Sequence, residues 1–288
     1  MSRSVPIALL CLCLLVDSSW GVGVMINEFS NGSGPVINKM VRDEYIEFVI
    51  TEQTSAATLA SLTFGDTNDA TSQLQGVFRF DQATLEAALA GSSVTEFQAG
   101  TIIVVKGVGL GAQNISYNPL SNNLSDTDAW SLQLVAGQGA RDHSETLING
   151  NINFGNNGEV VWISASNPPA HNTDTSGFIH AIGYDSSPGV IANRVISTFG
   201  SGNIATTSIP TNRVLSNTGG LSASVVVNNV GSFGQTNGGA NDTWIIGGLR
   251  TTSALNLAPE PARASLLALG CAMLALRRRR TNAGGSHV

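Results

Sequence analysis

The chain has 288 residues and a formal net charge of −6 at neutral pH, and only 12% of its residues are charged. This charge argues against nucleic-acid binding through a basic face, because neutralising phosphates requires clustered lysine and arginine. The three cysteines, Cys11, Cys13 and Cys271, all lie in apolar stretches near the two ends. The body between them therefore has neither a disulfide framework nor a cysteine nucleophile.

The first 23 residues have the pattern of a secretory signal peptide. Arg3 supplies the positive start, residues 5–16 are apolar, and small residues lead to cleavage sites after Gly21 and Gly23. We expect this segment to be removed on export. The body that follows, residues 24–258, keeps 8 of the 14 Lys and Arg residues and 18 of the 20 Asp and Glu residues, so its net charge is −10.

Short strand-forming runs separated by polar turns fill most of the body. One helix is predicted, with Asp81 as its N-cap, Leu85, Ala88 and Leu89 on one face and Gly91 at its end. Many short strands without alternating helices predict an all-β protein, a β-sandwich. The predicted strands cover residues 24–29, 43–50, 59–64, 76–80, 101–106, 131–135, 159–164, 178–184, 194–199, 224–228 and 243–246.

The opening of the body resembles the lamin-tail domain family. Its first predicted strand, residues 24–29, contains Ile26-Asn27-Glu28, and residues 44–48 read Glu-Tyr-Ile-Glu-Phe, similar to the first two strands of that family. Later apolar runs follow in the family's order, and the resemblance covers residues 24–188. It implies an immunoglobulin-like β-sandwich of the kind found on surface and secreted proteins, where it mediates interactions.

The chain departs from the lamin-tail pattern in two places. Residues 49–51 continue the second strand where the family has an Asn-containing turn, and residues 81–91 look like an insertion. Residues 189–258 lie beyond the resemblance. We expect them to form either a β-rich extension or a stem rich in Ser, Thr and Asn.

Two patterns match cofactor or catalytic motifs but lack the context that those motifs need. Residues 107–112 fit the dinucleotide fingerprint G-x-G-x-x-[GA], yet turn-like residues follow instead of a helix that could receive a pyrophosphate. Asp142, His143, Ser144 and Glu145 combine acid, base and hydroxyl groups, but neighbours on a strand point to opposite faces. We expect surface loops at both places and predict that the protein is not an enzyme.

Two acidic runs are the best candidates for a cation site. Asp66, Asn68 and Asp69 form the first, and Asp126 and Asp128 form the second, with oxygen ligands at the short spacings of Ca²⁺-binding loops. Neither run has the Gly and the downstream Glu of an EF-hand loop, and Asx turns use the same residue types. We expect turn-capping roles and no cofactor, with Ca²⁺ as the alternative.

The C-terminal tail combines three features in a fixed order. Pro259, Glu260 and Pro261 come first, and the prolines favour extended backbone over helix. An apolar run then begins at Ala264 and ends at Leu276; as a helix it would cover about 20 Å, short of the roughly 30 Å hydrocarbon core. The run closes with four arginines that favour the cytoplasmic side of a membrane: Arg277, Arg278, Arg279 and Arg280.

This tail resembles the bacterial PEP-CTERM sorting signal over residues 259–280, and residues 281–288 would be a cytoplasmic tail. The resemblance implies that the exported protein is held in the inner membrane until an exosortase cuts near the Pro-Glu-Pro triplet. We expect a non-catalytic structural or binding protein at the cell surface or in the extracellular matrix. Its partners would be the export machinery, the exosortase, and exopolysaccharide or other surface proteins. A permanent tail anchor is the alternative for this segment.

Two alternatives belong to other functional classes. A carbohydrate-binding module would need aromatic side chains on one exposed face, and the candidates are Trp130, Trp162, Trp244 and Tyr184. A small secreted hydrolase would need an acid–base set within residues 190–248. Because each of the four aromatics lies in or beside an apolar strand, we expect them to pack in the core.

Overall fold

The fold is taken from a computed structural model that describes ten ranges of the chain. Residues 1–22 of the predicted signal peptide, the predicted sorting tail and the predicted strand at 194–199 lie outside these ranges. The described residues are 23–67, 74–120, 122–142, 151–156, 158–165, 178–185, 204–205, 213–217, 225–228 and 233–257.

The described chain is mostly β-sheet with few helices. Its helices are α1 (Ala56–Ser61), α2 (Gln82–Ala90), a 3₁₀ turn (Val108–Leu110), and a C-terminal helix made of α3 (Gly239–Asp242), π-helical turns (Thr243–Arg250) and α4 (Thr251–Leu257). Its strands are β1 (Val24–Asn31), β2 (Val36–Ile37), β3 (Met40–Val41), β4 (Tyr45–Ile50), β5 (Thr63–Thr67), β6 (Leu74–Phe80), β7 (Ile102–Lys106), β8 (Ser131–Val135), β9 (Ala140–Asp142), β10 (Gly158–Ser164), β11 (Phe178–Asp185), β12 (Ile204–Ala205), β13 (Arg213–Asn217) and β14 (Val225–Asn228).

Two six-stranded sheets form the body. The first sheet has the order β14-β13-β1-β4-β7-β8 and the second has the order β12-β11-β10-β5-β6-β9. Neighbouring strands are antiparallel except for the pairs β7–β8 and β11–β12, which are parallel. In addition, β2 and β3 form a small separate hairpin.

The core lies between the inner faces of the two sheets. Strand β4 shows the alternation clearly, since Ile46, Phe48 and Ile50 join the main core cluster while the residues between them face away from it. Phe48 of the first sheet meets Phe64 of the second with ring centroids 5.0 Å apart and an edge-on angle of 63°. The all-β sandwich that the sequence predicts is therefore present in the described residues.

The predicted helix is confirmed, and two predicted strands are corrected. Helix α2 begins after Asp81, whose carboxylate accepts the Thr84 backbone N–H at 3.1 Å. The strand predicted at 59–64 is wrong in its first half because Ser55 caps a short helix there, accepting the Thr58 N–H at 3.1 Å. Strand β5 begins only at Thr63.

The strand predicted at 243–246 is also wrong, because these residues are helical. The sequence run is apolar enough for a strand, but its apolar residues also recur four apart. Ile245 and Leu249 pack together against Met25 and Val49 on the outer face of the first sheet. Burial of that helical face decides the outcome against local strand propensity.

Strands from beyond residue 188 complete both sheets. Strand β13 pairs with β1 and β14 in the first sheet, and β12 pairs with β11 in the second. The described part of residues 189–258 is therefore a β-rich extension of the sandwich. It ends in residues 233–257, which we call the C-terminal cap. No helix in the described ranges combines the length and apolar character needed to cross a bilayer.

Arg250 holds the end of the C-terminal cap against the sandwich. Its Nε donates to the Gly100 carbonyl at 2.9 Å and its Nη1 donates to the Leu124 carbonyl at 2.6 Å. The guanidinium lies 5.2 Å from the Trp130 ring centroid. Burial lowers the pKa of Arg250 to about 10, so the side chain is still charged at neutral pH.

The close approach of Arg250 requires glycine at position 100. Gly100 has a φ of +87°, and a Cβ there would lie 2.4 Å from the Arg250 Cγ. Gly111 has a similar φ of +95°, but the nearest atom to its Cβ position is 3.9 Å away. Both glycines therefore have a backbone conformation that disfavours other residues. Of the two, only Gly100 would also bring a side chain into a steric clash.

We predict that Gly100→Ala destabilises the protein by about 1–3 kcal/mol more than Gly111→Ala, because only the first methyl group collides with Arg250. Urea unfolding of both variants gives the difference in free energy of unfolding. Equal losses would contradict the packing of Arg250 on Gly100.

Candidate functional site

Two glutamates lie side by side on the outer face of the first sheet, beneath the C-terminal cap. Glu28 of β1 and Glu47 of β4 occupy opposite positions in the strand pair, and both are fully buried. Glu28 accepts hydrogen bonds from the Tyr45 hydroxyl and, at 2.5 Å, from the Ser216 hydroxyl. Glu47 accepts from Asn27 Nδ2 at 2.6 Å and from the Gly234 backbone N–H at 2.5 Å.

Burial is the largest influence on the pKa of Glu47. It raises the pKa of Glu47 well above its usual range, and the nearby charge of Glu28 raises that pKa further. The hydrogen bonds from Asn27 and Gly234 act in the opposite direction, because they stabilise the ionised carboxylate. Burial also raises the pKa of the Tyr45 hydroxyl, and the charge of Glu28 adds to that effect. Four donors thus satisfy four carboxylate oxygens, which fits a structural role better than contact with a substrate.

The same hydrogen bonds position a turn at the start of the C-terminal cap. Glu47 holds the amide of Gly234, and Asn27 Nδ2 also reaches the Gln235 carbonyl at 3.5 Å. Two later side chains of the cap also bond to Asn27. Asn237 Nδ2 donates to the Asn27 carbonyl at 3.3 Å, and Asn241 Nδ2 donates to Asn27 Oδ1 at 2.8 Å. Gly234 has a φ of +81°, a conformation that favours glycine. The turn at 233–235 is therefore fixed by the buried network.

This turn forms one wall of a cavity of about 310 Å³ on the edge of the first sheet, which we call the cap-edge cavity. Its other wall comes from β8 and from the loop that precedes it. The side chains available to a ligand come mainly from Thr127, Asp128, Ser131, Gln133, Phe233 and Gln235.

Lys106 contacts two of the side chains that line the cap-edge cavity, Gln133 and Phe233. Its Nζ donates to Gln133 Oε1 at 2.7 Å and lies 5.4 Å from the centroid of the Phe233 ring. Because Oε1 of Gln133 is turned towards Lys106, the Nε2 of Gln133 lies on the side of Gly234. A Cβ built on Gly234 would be 3.8 Å from this Nε2. The Phe233 ring also packs on Tyr45, with centroids 5.5 Å apart.

A second cavity of about 540 Å³ adjoins the first, and we call it the helix-edge cavity. Asp128 lines both cavities, so they meet at that residue. The helix-edge cavity runs from Asp128 past Ser116 and Asn118 towards Ala87 of α2. The two neighbouring cavities, which share Asp128 as a lining residue, are together called the cap-edge groove.

The second acidic run fixes the middle of this groove. Asp126 Oδ1 accepts the backbone N–H groups of Asp128 and Ala129, both at 3.1 Å, and its Oδ2 accepts Asn123 Nδ2 at 3.2 Å. Asp126 therefore acts as an Asx-turn residue. Asp128 itself is exposed in the groove.

A second pair of buried carboxylates, Glu44 and Asp66, lies at one end of the sandwich. Glu44 Oε1 accepts the Phe154 N–H at 3.0 Å. Asp66 accepts the N–H groups of Gly76 at 2.7 Å and Asn153 at 3.0 Å. Burial raises the pKa of Asp66 to about 7, and burial together with the charge of Asp66 raises that of Glu44 well above its usual range. The pair ties residues 151–156 to the two sheets.

The remaining cation-site candidates and the predicted sorting residues lie outside the described ranges. These are Asn68, Asp69, Pro259, Glu260, Pro261, Arg277, Arg278, Arg279 and Arg280. Within the described ranges, no group of three or more His, Cys, Asp or Glu side chains is placed to hold a metal ion.

The glycine-rich run at 107–112 serves chain packing. Val108–Leu110 form one 3₁₀ turn, and the helix that a dinucleotide site would need is not formed by these residues. A Cβ on Gly107 would lie 2.2 Å from the Val41 carbonyl oxygen, and one on Gly109 would lie 2.1 Å from Asp43 Oδ1. Close approach of residues 41–43 explains both glycines, through the backbone at Gly107 and mainly through side chains at Gly109. Of the other motif, Asp142 ends β9, and residues 143–145 lie outside the described ranges.

Three of the four aromatic candidates for a sugar-binding face are fully buried. Trp130, Trp162 and Tyr184 have no solvent exposure. Trp162 donates to the Asp66 carbonyl at 3.3 Å and Tyr184 to the Gly155 carbonyl at 2.6 Å. Trp244 is half-buried against Met25 and Val49. These side chains do not form an exposed aromatic platform.

Sequence reasoning missed the residues that line the cap-edge cavity. Thr127, Ser131, Gln133 and Gln235 match no spacing motif, and about a hundred residues separate residues 127–133 from residues 233–235. A weak signal was available, because the polar Ser131 and Gln133 alternate with the apolar Leu132 and Leu134 in a predicted strand.

Comparison with known proteins gives no assignment. No family model matches the chain, and neither a curated protein nor a solved structure matches it.

We predict that stability falls as pH rises from about 4 to about 7, in part because of Asp66. Its pKa is raised on folding, so the folded protein holds a proton that the unfolded chain releases across this window. Asp66→Asn should flatten the pH dependence of the free energy of unfolding, measured by urea titration at several pH values. Asp43→Asn is the control, because the hydrogen bond from Arg42 lowers the pKa of Asp43 and its titration lies below the window. Equal slopes in the wild type and Asp66→Asn would contradict the prediction.

Proposed function

We propose that this chain is an exported, non-catalytic β-sandwich protein that acts as a structural or binding module at the cell surface or in the extracellular matrix. The observation that carries the proposal is the order of features at the C-terminus. A Pro-Glu-Pro triplet at 259–261, a short apolar run and four arginines follow one another, as in the PEP-CTERM sorting signal that the tail resembles.

The position of the C-terminal cap supports this proposal. The last helix ends at Leu257, so a single residue separates it from Pro259. The triplet therefore comes one residue after the end of a helix, and its two prolines disfavour continuation of that helix, so we expect a processing enzyme to recognise it there. Cleavage there would leave the whole cap on the released protein.

A binding role fits the sandwich better than catalysis does. The buried carboxylates Glu28 and Glu47 have hydrogen-bond donors on all four oxygens and lie under the cap. Glu44 and Asp66 hold backbone amides. We further propose that residues 24–188 form an immunoglobulin-like module of the lamin-tail type, on the basis of the Ile26-Asn27-Glu28 strand and the motifs that follow it.

We predict that a bacterial host with an exosortase yields two forms of the protein, which intact-mass measurements of the membrane and extracellular fractions will separate. The released form should begin after Gly21 or Gly23 and end near residues 259–261. Glu260→Ala should shift the protein to the membrane-bound form by disrupting the triplet. Glu86→Ala, which removes an exposed carboxylate on α2, should leave processing unchanged.

A wild-type protein that keeps its full C-terminus and is found only in the membrane would contradict the sorting proposal. The segment would then be a permanent tail anchor.

A further inference from the structure

We infer that the cap-edge groove binds an extended, uncharged polysaccharide chain, with one pyranose unit in the cap-edge cavity. The inference rests on the proposed function of a matrix-associated protein and names its ligand class. It uses residues other than the four buried or half-buried aromatics that the sequence suggested.

The size of the two cavities and their position on either side of a shared residue point to an extended ligand. The two cavities measure about 310 Å³ and about 540 Å³ and meet at Asp128. Each lies in the range of about 300–1,000 Å³ that is usual for small-ligand sites. A linear chain of sugar units can occupy both at once.

The lining of the cap-edge cavity suits a hydroxyl-rich ligand. Hydroxyl groups of a sugar donate and accept hydrogen bonds, and so do the side chains of Thr127, Ser131 and Gln235. Gln133 adds a donor of known direction, since Lys106 holds its Oε1 and leaves Nε2 towards the turn. The half-buried ring of Phe233 provides apolar surface for the C–H groups of a pyranose.

The charge of the groove selects against acidic sugars. Among the described residues that line the two cavities, the ionisable groups are the Asp128 carboxylate and the buried Tyr117 hydroxyl, and none is a cation. The body carries a net charge of −10. Uronate, sulfate or phosphate groups would be repelled by Asp128. The ammonium group of Lys106 is outside the lining, because this residue is buried and donates to Gln133.

Strand pairing argues against an extended peptide as the ligand. Strand β8 is an edge of the first sheet, and peptides commonly bind such edges by adding a strand. At Gln133, however, the backbone already exchanges hydrogen bonds with Asn114, at 2.8 Å and 2.9 Å. The exposed chemistry of the cavity is therefore that of its side chains.

The buried network gives the site its rigidity. Glu47 and Asn27 hold the turn at 233–235, and Asp126 holds the backbone at Asp128. Groups that are fixed before binding lose little conformational entropy when the ligand arrives. The polar cluster buried on the outer face of the first sheet would therefore keep the binding site in place before the ligand arrives.

The test is a calorimetric titration of the full-length chain, purified in a detergent without a sugar headgroup. The probes are hexasaccharides of glucose, mannose and galactose, with an oligouronate of the same length as the charged comparison. We expect a dissociation constant at or below about 1 mM for at least one neutral probe and weaker binding of the oligouronate.

Asp128→Ala and Gln235→Ala change exposed side chains and should each weaken binding of the neutral probe about threefold to tenfold. Gln82→Ala is the matched control, because Gln82 is an exposed glutamine lining a third cavity of about 350 Å³ elsewhere on the surface. Thermal melting of each variant establishes that it is folded.

Three results would overturn the inference: no binding of any neutral probe, stronger binding of the oligouronate, or equal affinities in the wild type and both groove variants. None of them bears on processing of the tail. A failure of sorting in the mass measurements would likewise leave the calorimetric result standing, so the two proposals can fail separately.

Discussion

The structure depends on how the outer face of the first sheet buries its polar side chains. Glu28 and Glu47 lie opposite each other on β1 and β4, where like charges in a low-dielectric setting are costly. Their oxygens need donors, and the sheet itself supplies those of Tyr45, Ser216 and Asn27. The fourth is the backbone amide of Gly234, which belongs to the C-terminal cap.

The C-terminal cap is consequently a third layer over the sandwich. Ile245 adds apolar packing at Met25 and Val49, and Arg250 adds hydrogen bonds to carbonyls on two separate loops. Its first turn completes the cap-edge cavity, and one residue separates its last residue from the Pro-Glu-Pro triplet. The packing of the cap and the candidate binding site thus belong to one short segment, and the proposed point of processing follows it directly.

Much of the sandwich could be predicted because local patterns determine it. The alternation in β4 and the Asp81 cap of α2 need no distant partner to be recognised. The helix at 243–250 could not be predicted in this way, because its apolar residues fit either period and the deciding contact comes from Met25 and Val49. Tertiary burial overrides propensity in such cases.

The candidate site was harder to predict than the fold. Asn27 and Asn241 are hydrogen-bonded across 214 residues of sequence, and no pattern around either one indicates the other. The sequence drew attention to Asp126 and Asp128 as possible cation ligands. In the structure the first caps a turn and the second lines a groove. Most of the aromatic residues considered for a sugar-binding face lie in the core instead, because large rings bury much apolar surface there.

The central claim is that the C-terminal cap is an integral layer anchored through Glu47, and amide hydrogen exchange of the wild type and Glu47→Gln tests it most directly. We predict that backbone amides of the cap, Gly234 included, exchange as slowly in the wild type as those of β1 and β4. In Glu47→Gln, protection of the cap should fall while that of the second sheet is retained. Rapid exchange throughout the cap of the wild-type protein would contradict the account, because the outer face would then be open for much of the time.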